Sequence, residues 1–414
     1  MEKSASLIHT FLHWTEKWFK TDMTYLVKNG FWLTLGQAFS AGSALILSIA
    51  FAYFLTPEIY GTYKYILAIC GTLAIFNLPG LGTAIVKATA QGKEGSFYKA
   101  FKISVTWGLV GGFISFLAGL YYTYFGNHLL AIPLFIGAVF LPIMDSLSLY
   151  SEVLQGKSDF KRFTKFFVAS QVLTTICLLT TIFLTKNLYI LIFAYFLSWT
   201  LVRFVFLKIT LKIYPPNNVV DPGAIGYGKH LSLMKVLPSI ASYLDKLLIF
   251  HFMGAAEVAI YSIATAPVDQ LKGTLKSIYT LILPKFSQKS KEEIKQSIKE
   301  KMPKFILSLV IITVLYIIFI PFLLKLFFPK YGASIIFSQF YSISLIATAF
   351  LLPYASLEAT ASTKKLYHYN TWTSLMQILS LLILTPLYGL MGVVIARIVT
   401  RFFVLGLATY LNRN

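Results

Sequence analysis

Residues 305–328 read FILSLVIITVLYIIFIPFLLKLFF, with Lys325 as the one charged side chain in the block. A helix of this length rises about 36 Å, more than the hydrocarbon thickness of about 30 Å in a bilayer. The apolar residues run continuously, without the steps of three and four residues that mark a helix with a single buried face. The block therefore predicts a transmembrane helix, and similar blocks recur along the chain.

The composition of the chain indicates a polytopic membrane protein. Of its 414 residues, 57% are hydrophobic and 13% are charged, whereas a soluble domain devotes about a quarter of its residues to charge. These values exclude a soluble globular enzyme, a disordered chain and a fibrous repeat. The net charge of +20 resides in short segments between the apolar blocks, a pattern typical of membrane-protein loops and not of nucleic-acid binding.

Twelve apolar blocks meet the length requirement for a transmembrane helix. We call them spans 1 to 12, with predicted limits 30–55, 65–86, 103–125, 129–154, 166–184, 188–207, 236–253, 258–283, 305–328, 335–357, 372–387 and 391–411. Of the 36 Lys and Arg residues, 27 lie in the segments on one side and six lie inside spans or at their edges. On the other side we count only Lys186, Lys330 and Lys325, which is close to the end of span 9. This bias predicts a multi-pass protein of the cell membrane with both termini in the cytoplasm.

The segment that precedes span 1, residues 1–29, has no continuous apolar core of the kind found in a cleaved signal peptide. Its apolar residues recur at steps of three and four, which predicts an amphipathic helix on the membrane surface. These residues are Leu7, Ile8, Phe11, Leu12, Trp18 and Phe19. His9 and His13 share this predicted helix at a spacing of four, and we expect a solvated face there and not a metal site.

The loops are too short to hold a soluble catalytic domain. The longest predicted connections are 208–235, a Pro-rich linker between two halves, and 276–304, which contains a short charged helix near residues 291–298. The sequence has no phosphate-binding glycine loop, no HExxH and no Asp-x-Asp pair. Cys70 and Cys177 lie in apolar blocks, where a free cysteine behaves as a small hydrophobic residue. We therefore expect neither an enzyme, a metal site nor a bound cofactor.

The two halves of the chain repeat each other. The Gly61-Thr-Tyr63 segment that follows span 1 corresponds to Ala259-Ile-Tyr261 after span 7, and Arg203 of span 6 corresponds to Arg401 of span 12 in a shared Arg-Phe-x-x-Leu pattern. Six spans per half place both halves in the membrane in the same orientation. The sequence thus predicts two six-helix lobes, 30–207 and 236–414, related by an axis along the membrane normal, with the substrate passing between them.

Several short segments resemble the polysaccharide-repeat-unit flippases, the Wzx-type members of the superfamily that also holds multidrug and lipid II exporters. The resemblance starts at Leu55-Thr-Pro-Glu-Ile-Tyr-Gly-Thr-Tyr63 and continues through Gly80–Lys87, Leu154–Gly156, Leu244–Lys246 and Tyr261–Ala264. It implies an all-α, V-shaped fold of two lobes, with spans 1, 2, 7 and 8 around a central cavity. It also implies a lipid-diphosphate-linked oligosaccharide as cargo.

Ionisable side chains inside spans are costly unless they are paired or hydrated, so each one is a candidate functional residue. Asp245 and Lys246 of span 7 and Asp269 and Lys272 of span 8 are predicted to lie near mid-depth on adjacent antiparallel helices. They could form a polar cavity wall that recognises the diphosphate or couples transport to a cation. Alternatively, they could form two compensated pairs that only lock the helical hairpin.

Span 12 supplies a second group of candidates. Arg397 and Arg401 share one helix face at a spacing of four, and the guanidinium fork suits a diphosphate. If span 12 is peripheral, the two arginines contact anionic lipid instead. Weaker candidates are single polar groups for which we expect a structural role: Gln37 and Asp145 in interhelical hydrogen bonds, Arg203 reaching toward headgroups, and Lys64 as an interfacial anchor.

The leading functional hypothesis is a transporter that flips a polyprenyl-diphosphate-linked glycan outward, without covalent chemistry and powered by a proton or sodium gradient. Its partners would be the lipid-linked glycan, membrane lipids and other glycan-assembly proteins. Three alternatives stay open: a multidrug exporter, although span 1 lacks the carboxylate such exporters commonly use; a lipid II exporter, although the first two spans lack arginine; and a non-transporting component of a glycan-assembly complex. The sequence does not identify the glycan, the coupling ion or the oligomeric state.

Overall fold

The computed structural model describes residues 23–286, 290–360 and 363–413, and over these ranges the backbone is helical without any strand. Most of the predicted interfacial helix, with His9 and His13, lies outside the described residues. The final part of that segment belongs to span 1, because the helix of span 1 begins at Met23. The helix of span 1 is therefore longer than predicted.

The helices of the first lobe follow the predicted order. Span 1 is Met23–Phe54; span 2 is Pro57–Leu73, a 3-10 turn Ala74–Asn77 and Gly80–Ala90; span 3 is Ser96–Tyr124; span 4 is His128–Leu147 and Tyr150–Gly156; span 5 is Phe160–Leu184; span 6 is Leu188–Ile213. Side chains cap the helices that start after short turns: Thr56 accepts from the Ile59 amide, and Asn127 accepts from the Leu130 amide. Such caps satisfy the orphan amides of a first turn.

The second lobe begins after a linker helix, Ala224–Met234. Span 7 is Val236–Met253; span 8 is Ala255–Phe286; span 9 is Lys291–Phe327; span 10 is Ser334–Ser342, a 3-10 segment Ile343–Phe350 and Leu351–Thr360; spans 11 and 12 lie within Thr363–Arg413. A non-helical Gly389, with φ of 57°, separates spans 11 and 12. The result is twelve membrane passages in two lobes of six, as predicted.

Nine stretches of the described residues are long and apolar enough to cross a membrane. Spans 11 and 12 count as one of these stretches because their helices meet at Gly389. Spans 7 and 8, which carry charged residues in their middle, are not among these stretches. The two spans that fall short are therefore the ones that hold the predicted polar group.

The internal repeat is visible in the helix breaks. Span 4 is interrupted after Leu147, shortly before Leu154–Gly156. Span 10 passes through its 3-10 segment shortly before Leu357-Glu-Ala359, which resembles Leu154-Gln-Gly156 of the first half in sequence. Interrupted helices at matching positions of two halves are a mark of transporter repeats.

The two lobes meet tightly at the end of the molecule that we call the far end, formed by the turns at Thr56, Asn127, Asn187, Gly254, Gly332 and Gly389. The opposite end, with the linker helix, is called the linker end. At the far end the rings of Tyr65 and Phe250 stack with centroids 3.7 Å apart, and Lys330 donates to the Tyr53 carbonyl at 2.9 Å. Tyr331 is buried in the same apolar cluster. Access to the interior is closed at this end.

Gly61 makes the far-end contact possible. A Cβ atom at Gly61 would lie 1.6 Å from the backbone oxygen of Ala255 in span 8, so a side chain there would force spans 2 and 8 apart. We expect Gly61→Ala to lower the unfolding free energy by about 1–3 kcal/mol, as overpacking does. Thermal unfolding in detergent measures this loss. Gly42→Ala is the matched control, because a Cβ at Gly42 meets no atom within 4 Å, and equal stability of the two variants would contradict the prediction.

The linker runs along the loops of the first lobe at the linker end. The Gly95 amide donates to the Val219 carbonyl at 3.0 Å, and Asn217 donates its side-chain amide to the Gly92 carbonyl at 2.8 Å. The linker helix then packs against span 2, where the Gly80 amide donates to the Ser232 hydroxyl at 2.9 Å. The linker is thus hydrogen-bonded to the first lobe at several points.

An ion pair between the buried Glu94 and the exposed Lys157 ties the loop after span 2 to the loop after span 4. The hydrogen bond from Lys157 holds the pKa of Glu94 below its ordinary value of 4.5. A lowered folded-state pKa stabilises the protein above the ordinary pKa, and this stabilisation is lost as the pH falls through the folded-state value. We expect Glu94→Gln to lose stability at neutral pH and the difference from the unchanged protein to vanish in acid. Unfolding measured across pH tests this, and a difference that grows in acid would contradict it.

Candidate functional site

A cavity of about 380 Å³ lies between the two lobes. Spans 2, 4 and 6 form its wall on the first lobe, and Tyr243 and Lys246 of span 7 close it from the second lobe. The volume falls within the range of about 300–1,000 Å³ that is usual for ligand sites. We call this space the interlobe cavity.

Three cations and one carboxylate line the interlobe cavity: Lys64, Arg203, Lys246 and Asp145. Arg203 donates to Asp145 Oδ1 at 2.6 Å and to the Met144 carbonyl at 2.8 Å. Its guanidinium also lies 4.9 Å from the ring centroid of Trp199. The cavity therefore carries a positive excess in partly enclosed surroundings, where a charge acts more strongly than in water.

Lys64 and Arg203 lie in surroundings other than those expected from the sequence, whereas Asp145 accepts a hydrogen bond from a neighbouring span. Lys64 lies on the cavity wall, two helical turns into span 2, with its ammonium 5.4 Å from the ring centroid of Tyr60. Arg203 pairs with Asp145 inside the first lobe. Gln37 of span 1 faces Gly273 of span 8, where a Cβ on the glycine would lie 3.9 Å from Gln37 Oε1. All four weaker candidates therefore lie inside the protein, and three of them share one cavity.

A second polar cluster lies within the second lobe. Its members are Asp245, Tyr261, Asp269, Lys272, Tyr341, Arg397 and Arg401, and we call it the C-lobe cluster. Asp245 has no exposed surface. Its carboxylate accepts from the Tyr261 hydroxyl at 2.7 Å and from the backbone amide of Lys246 at 2.8 Å. Arg397 Nη2 lies 3.4 Å from Asp245 Oδ2, so spans 7 and 12 are joined by a buried ion pair.

The other half of the C-lobe cluster is more open. The side chain of Asp269 is 44% exposed, and its carboxylate accepts from the Tyr341 hydroxyl at 2.8 Å. Lys272 lies 3.4 Å from Asp269 Oδ1 and 3.9 Å from the centroid of the Tyr341 ring. Arg401 is half-buried and close enough to Lys272 to interact with it electrostatically. Asp269 and Lys272 thus form an ion pair that is partly exposed.

The predicted group of four is split between these two places. Asp245 points into the second lobe, whereas the adjacent Lys246 lines the interlobe cavity, with its ammonium 3.9 Å from Asp245 Oδ1. Neighbouring residues on a helix face different directions, which explains the division. Residues 245 and 246 therefore connect the cavity with the C-lobe cluster.

Sequence reasoning missed the tyrosine hydroxyls of the site. Tyr261 and Tyr341 donate to the two carboxylates of the C-lobe cluster, and Tyr195 and Tyr243 line the interlobe cavity. The available signal was a tyrosine in the middle of a span, since a buried tyrosine usually needs a partner for its hydroxyl.

Within the described residues, no group of three or more His, Cys, Asp and Glu side chains could hold a metal ion. Both sites consist of charged and hydrogen-bonding side chains. The interlobe cavity can bind an anionic group, and the C-lobe cluster can hold or exchange a charge.

Comparison with known proteins gives a family match and several structural matches. The family described as "Polysaccharide biosynthesis protein" matches residues 26–290. No curated protein sequence matches the chain significantly.

The structural matches share the fold at low sequence identity. A lipid II flippase, MurJ, in an inward closed conformation superposes with a TM-score of 0.68 at 15% identity, covering 92% of this chain and 87% of that one. A multidrug resistance MATE family transporter of the MOP superfamily in an inward-facing conformation gives 0.67 at 15% identity, covering 90% and 94%. An outward-facing MATE family transporter gives 0.60 at 15% identity, covering 93% and 94%.

Proposed function

Because the chain belongs to the family of polysaccharide biosynthesis proteins, we propose that it flips a polyprenyl-diphosphate-linked oligosaccharide from the cytoplasmic to the outer leaflet. The family and the multi-pass transporter fold make it a membrane transport protein of the flippase type. The cargo, the direction and the cell membrane as its location are parts of the proposal. The supply of surface polysaccharide is the process that such transport would serve.

The positive excess of the interlobe cavity carries the proposal. Lys64 and Arg203 come from the first lobe and Lys246 comes from the second, so an anion bound there contacts both lobes at once. A diphosphate is a multivalent anion whose oxygens suit charge-assisted hydrogen bonds from ammonium and guanidinium groups. Binding that joins two lobes also gives the cargo a way to favour one arrangement of the lobes over another.

Alternating access would let the diphosphate and glycan cross through the space between the lobes while the lipid tail stays in the bilayer. The far-end contacts of Gly61, Tyr65 and Lys330 would then have to break to release the head group. All of these contacts lie between the lobes, and they include one glycine-to-backbone approach, one ring stack and one exposed hydrogen bond. The arrangement supports a seal that opens without unfolding either lobe.

The C-lobe cluster is proposed to couple this movement to a proton or sodium gradient. Asp269 is partly exposed and paired with Lys272, so a cation that binds its carboxylate would compete with the lysine. The effect of cation binding at Asp269 would be transmitted to the interlobe cavity through Asp245 and its neighbour Lys246. Arg397 is part of the proposed connection because it holds the Asp245 carboxylate.

A multidrug exporter of cationic drugs is the main rival within the same fold. The charges of the interlobe cavity weigh against it, because three cations would repel a cationic drug and Asp145 is already paired with Arg203. A non-transporting role in a glycan-assembly complex makes no use of such a cavity.

Transport by purified protein in proteoliposomes tests the proposal. The cargo is a fluorescent polyprenyl-diphosphate oligosaccharide, and an impermeant reagent that destroys the label reports which leaflet it occupies. We expect loss of the protected pool to be faster than in protein-free vesicles, and to be faster than for a labelled phosphatidylcholine in the same vesicles. Equal rates for cargo and phosphatidylcholine would contradict selective flipping.

A further inference from the structure

Asp145 occupies the position on Arg203 that an anionic ligand would need. Its carboxylate meets Arg203 Nη1 at 2.6 Å, and its side chain is 31% exposed on the wall of the interlobe cavity. Asp245, by contrast, has no exposed surface and three inward contacts. Asp145 is therefore a carboxylate that can leave its partner for solvent, whereas Asp245 is not.

Arg203 would remain in position if Asp145 moved away. The Met144 carbonyl still accepts from Nη1 at 2.8 Å, and the ring of Trp199 still lies below the guanidinium with its centroid 4.9 Å away. These two contacts do not depend on the carboxylate. The guanidinium would therefore stay in place and could bind an anionic ligand where it now binds the Asp145 carboxylate.

The two other cations of the cavity are not committed to a strong pair. Lys64 lies over the Tyr60 ring at 5.4 Å, and Lys246 lies 3.9 Å from the Asp245 carboxylate, whose shorter contacts are to Tyr261 and a backbone amide. Both can turn toward a ligand without leaving a buried charge behind. An anion that displaced Asp145 from Arg203 would thus meet three cations.

We infer that Asp145 is a displaceable placeholder for the diphosphate of the cargo. Without cargo, its carboxylate pairs with Arg203; a diphosphate oxygen displaces the carboxylate when the cargo binds, and the carboxylate pairs with Arg203 again when the cargo is released. The inference rests on the proposed function for the identity of the cargo. A bound state that must first free Arg203 has an apparent affinity reduced by the fraction of molecules in which Arg203 is free. The carboxylate thus sets the affinity low enough for turnover, and it makes binding selective for a ligand that brings more than one negative charge.

Binding of inorganic pyrophosphate to the purified full chain in detergent tests the placeholder. We expect Asp145→Asn to bind pyrophosphate about tenfold tighter than the unchanged protein, because the competing carboxylate is gone. Asp145→Glu keeps a carboxylate and should bind as the unchanged protein does. Asp221→Asn removes the same charge from the linker, where Asp221 pairs with Lys93, and should also leave the affinity unchanged.

A double variant separates displacement from general electrostatics. If Asp145 acts through Arg203, Asp145→Asn should bring little gain in an Arg203→Gln background. An equal gain in both backgrounds, or no gain in the single variant, overturns the inference. Pyrophosphate should raise the unfolding temperature of Asp145→Asn more than that of the unchanged protein, which shows in the same sample that the variant is folded.

The vesicle assay keeps this inference distinct from the proposed function. At saturating cargo we expect Asp145→Asn to flip several-fold more slowly, because release becomes limiting. If the unchanged protein does not flip the glycan but Asp145→Asn still gains pyrophosphate affinity through Arg203, the function fails and the placeholder stands. If flipping is normal but the affinity does not change, the placeholder fails and the function stands.

Discussion

Replacing Arg397 by leucine is expected to lower the unfolding free energy by about 3–5 kcal/mol, the usual cost of removing one partner from a buried ion pair. The reason is the complete burial of Asp245. Without Arg397, the carboxylate keeps the Tyr261 hydroxyl, the Lys246 amide and an ammonium 3.9 Å away, but it loses its ion-pair partner on span 12. Thermal or denaturant unfolding of purified protein in detergent measures the loss.

A second substitution should restore most of this stability. Asp245→Asn in the Arg397→Leu background removes the stranded charge and keeps an oxygen for the Tyr261 hydroxyl, so the double variant should be more stable than Arg397→Leu alone. Arg401→Leu is the matched control one turn further along span 12. Arg401 is half-buried and makes no contact to the Asp245 carboxylate among the described residues, so we expect a loss below about 1 kcal/mol. Similar losses for Arg397→Leu and Arg401→Leu would contradict a structural ion pair.

Most of the fold could be predicted because bilayer thickness sets helix length. Blocks such as 305–328 need no partner to be recognised as spans, and the Lys and Arg bias between loops orders them. Helix ends were less accurate because they depend on local capping. Span 9 begins at Lys291 and absorbs the predicted separate charged helix, since Ser290 and Glu293 form a capping box. That Ser-x-x-Glu signal was present in the sequence.

The candidate site was predicted in its residues but not in its pairing. Depth along a span follows from the residue number, so Asp245 and Asp269 could be placed near one another, whereas the arginines of span 12 stayed a separate group of candidates. The rotation of each helix about its axis does not follow, because a hydrophobic block is apolar on all sides. Asp245 therefore pairs with Arg397, far away in the sequence, as well as with its neighbour Lys246. The Asp145–Arg203 pair escaped notice for the same reason.

Substituting methionine for both Lys64 and Lys246 is expected to reduce the transport rate in proteoliposomes at least tenfold. Each lysine faces the interlobe cavity, and a hydrogen bond to a charged group contributes about 1.5–3 kcal/mol, so the loss of either alone should weaken cargo binding about tenfold or more. Methionine keeps the length and the flexible apolar stem of the lysine side chain. The measurement is the rate at which the labelled polyprenyl-diphosphate glycan changes leaflet, at cargo concentrations below saturation.

The design separates cavity charge from overall charge and from folding. Lys99→Met removes an exposed lysine of span 3 at the linker end and should flip cargo at the unchanged rate. Without the Lys246 ammonium, the Asp245 carboxylate keeps Arg397, the Tyr261 hydroxyl and a backbone amide. The substitutions therefore strand no buried anion, and the variant should unfold within about 1 kcal/mol of the unchanged protein. Saturating cargo should recover part of the rate if the lysines act in binding. In the Lys64→Met and Lys246→Met variant, Arg203 is the one described cation that still lines the interlobe cavity. If this variant is stable and flips cargo at the unchanged rate, the interlobe cavity does not lie on the transport path.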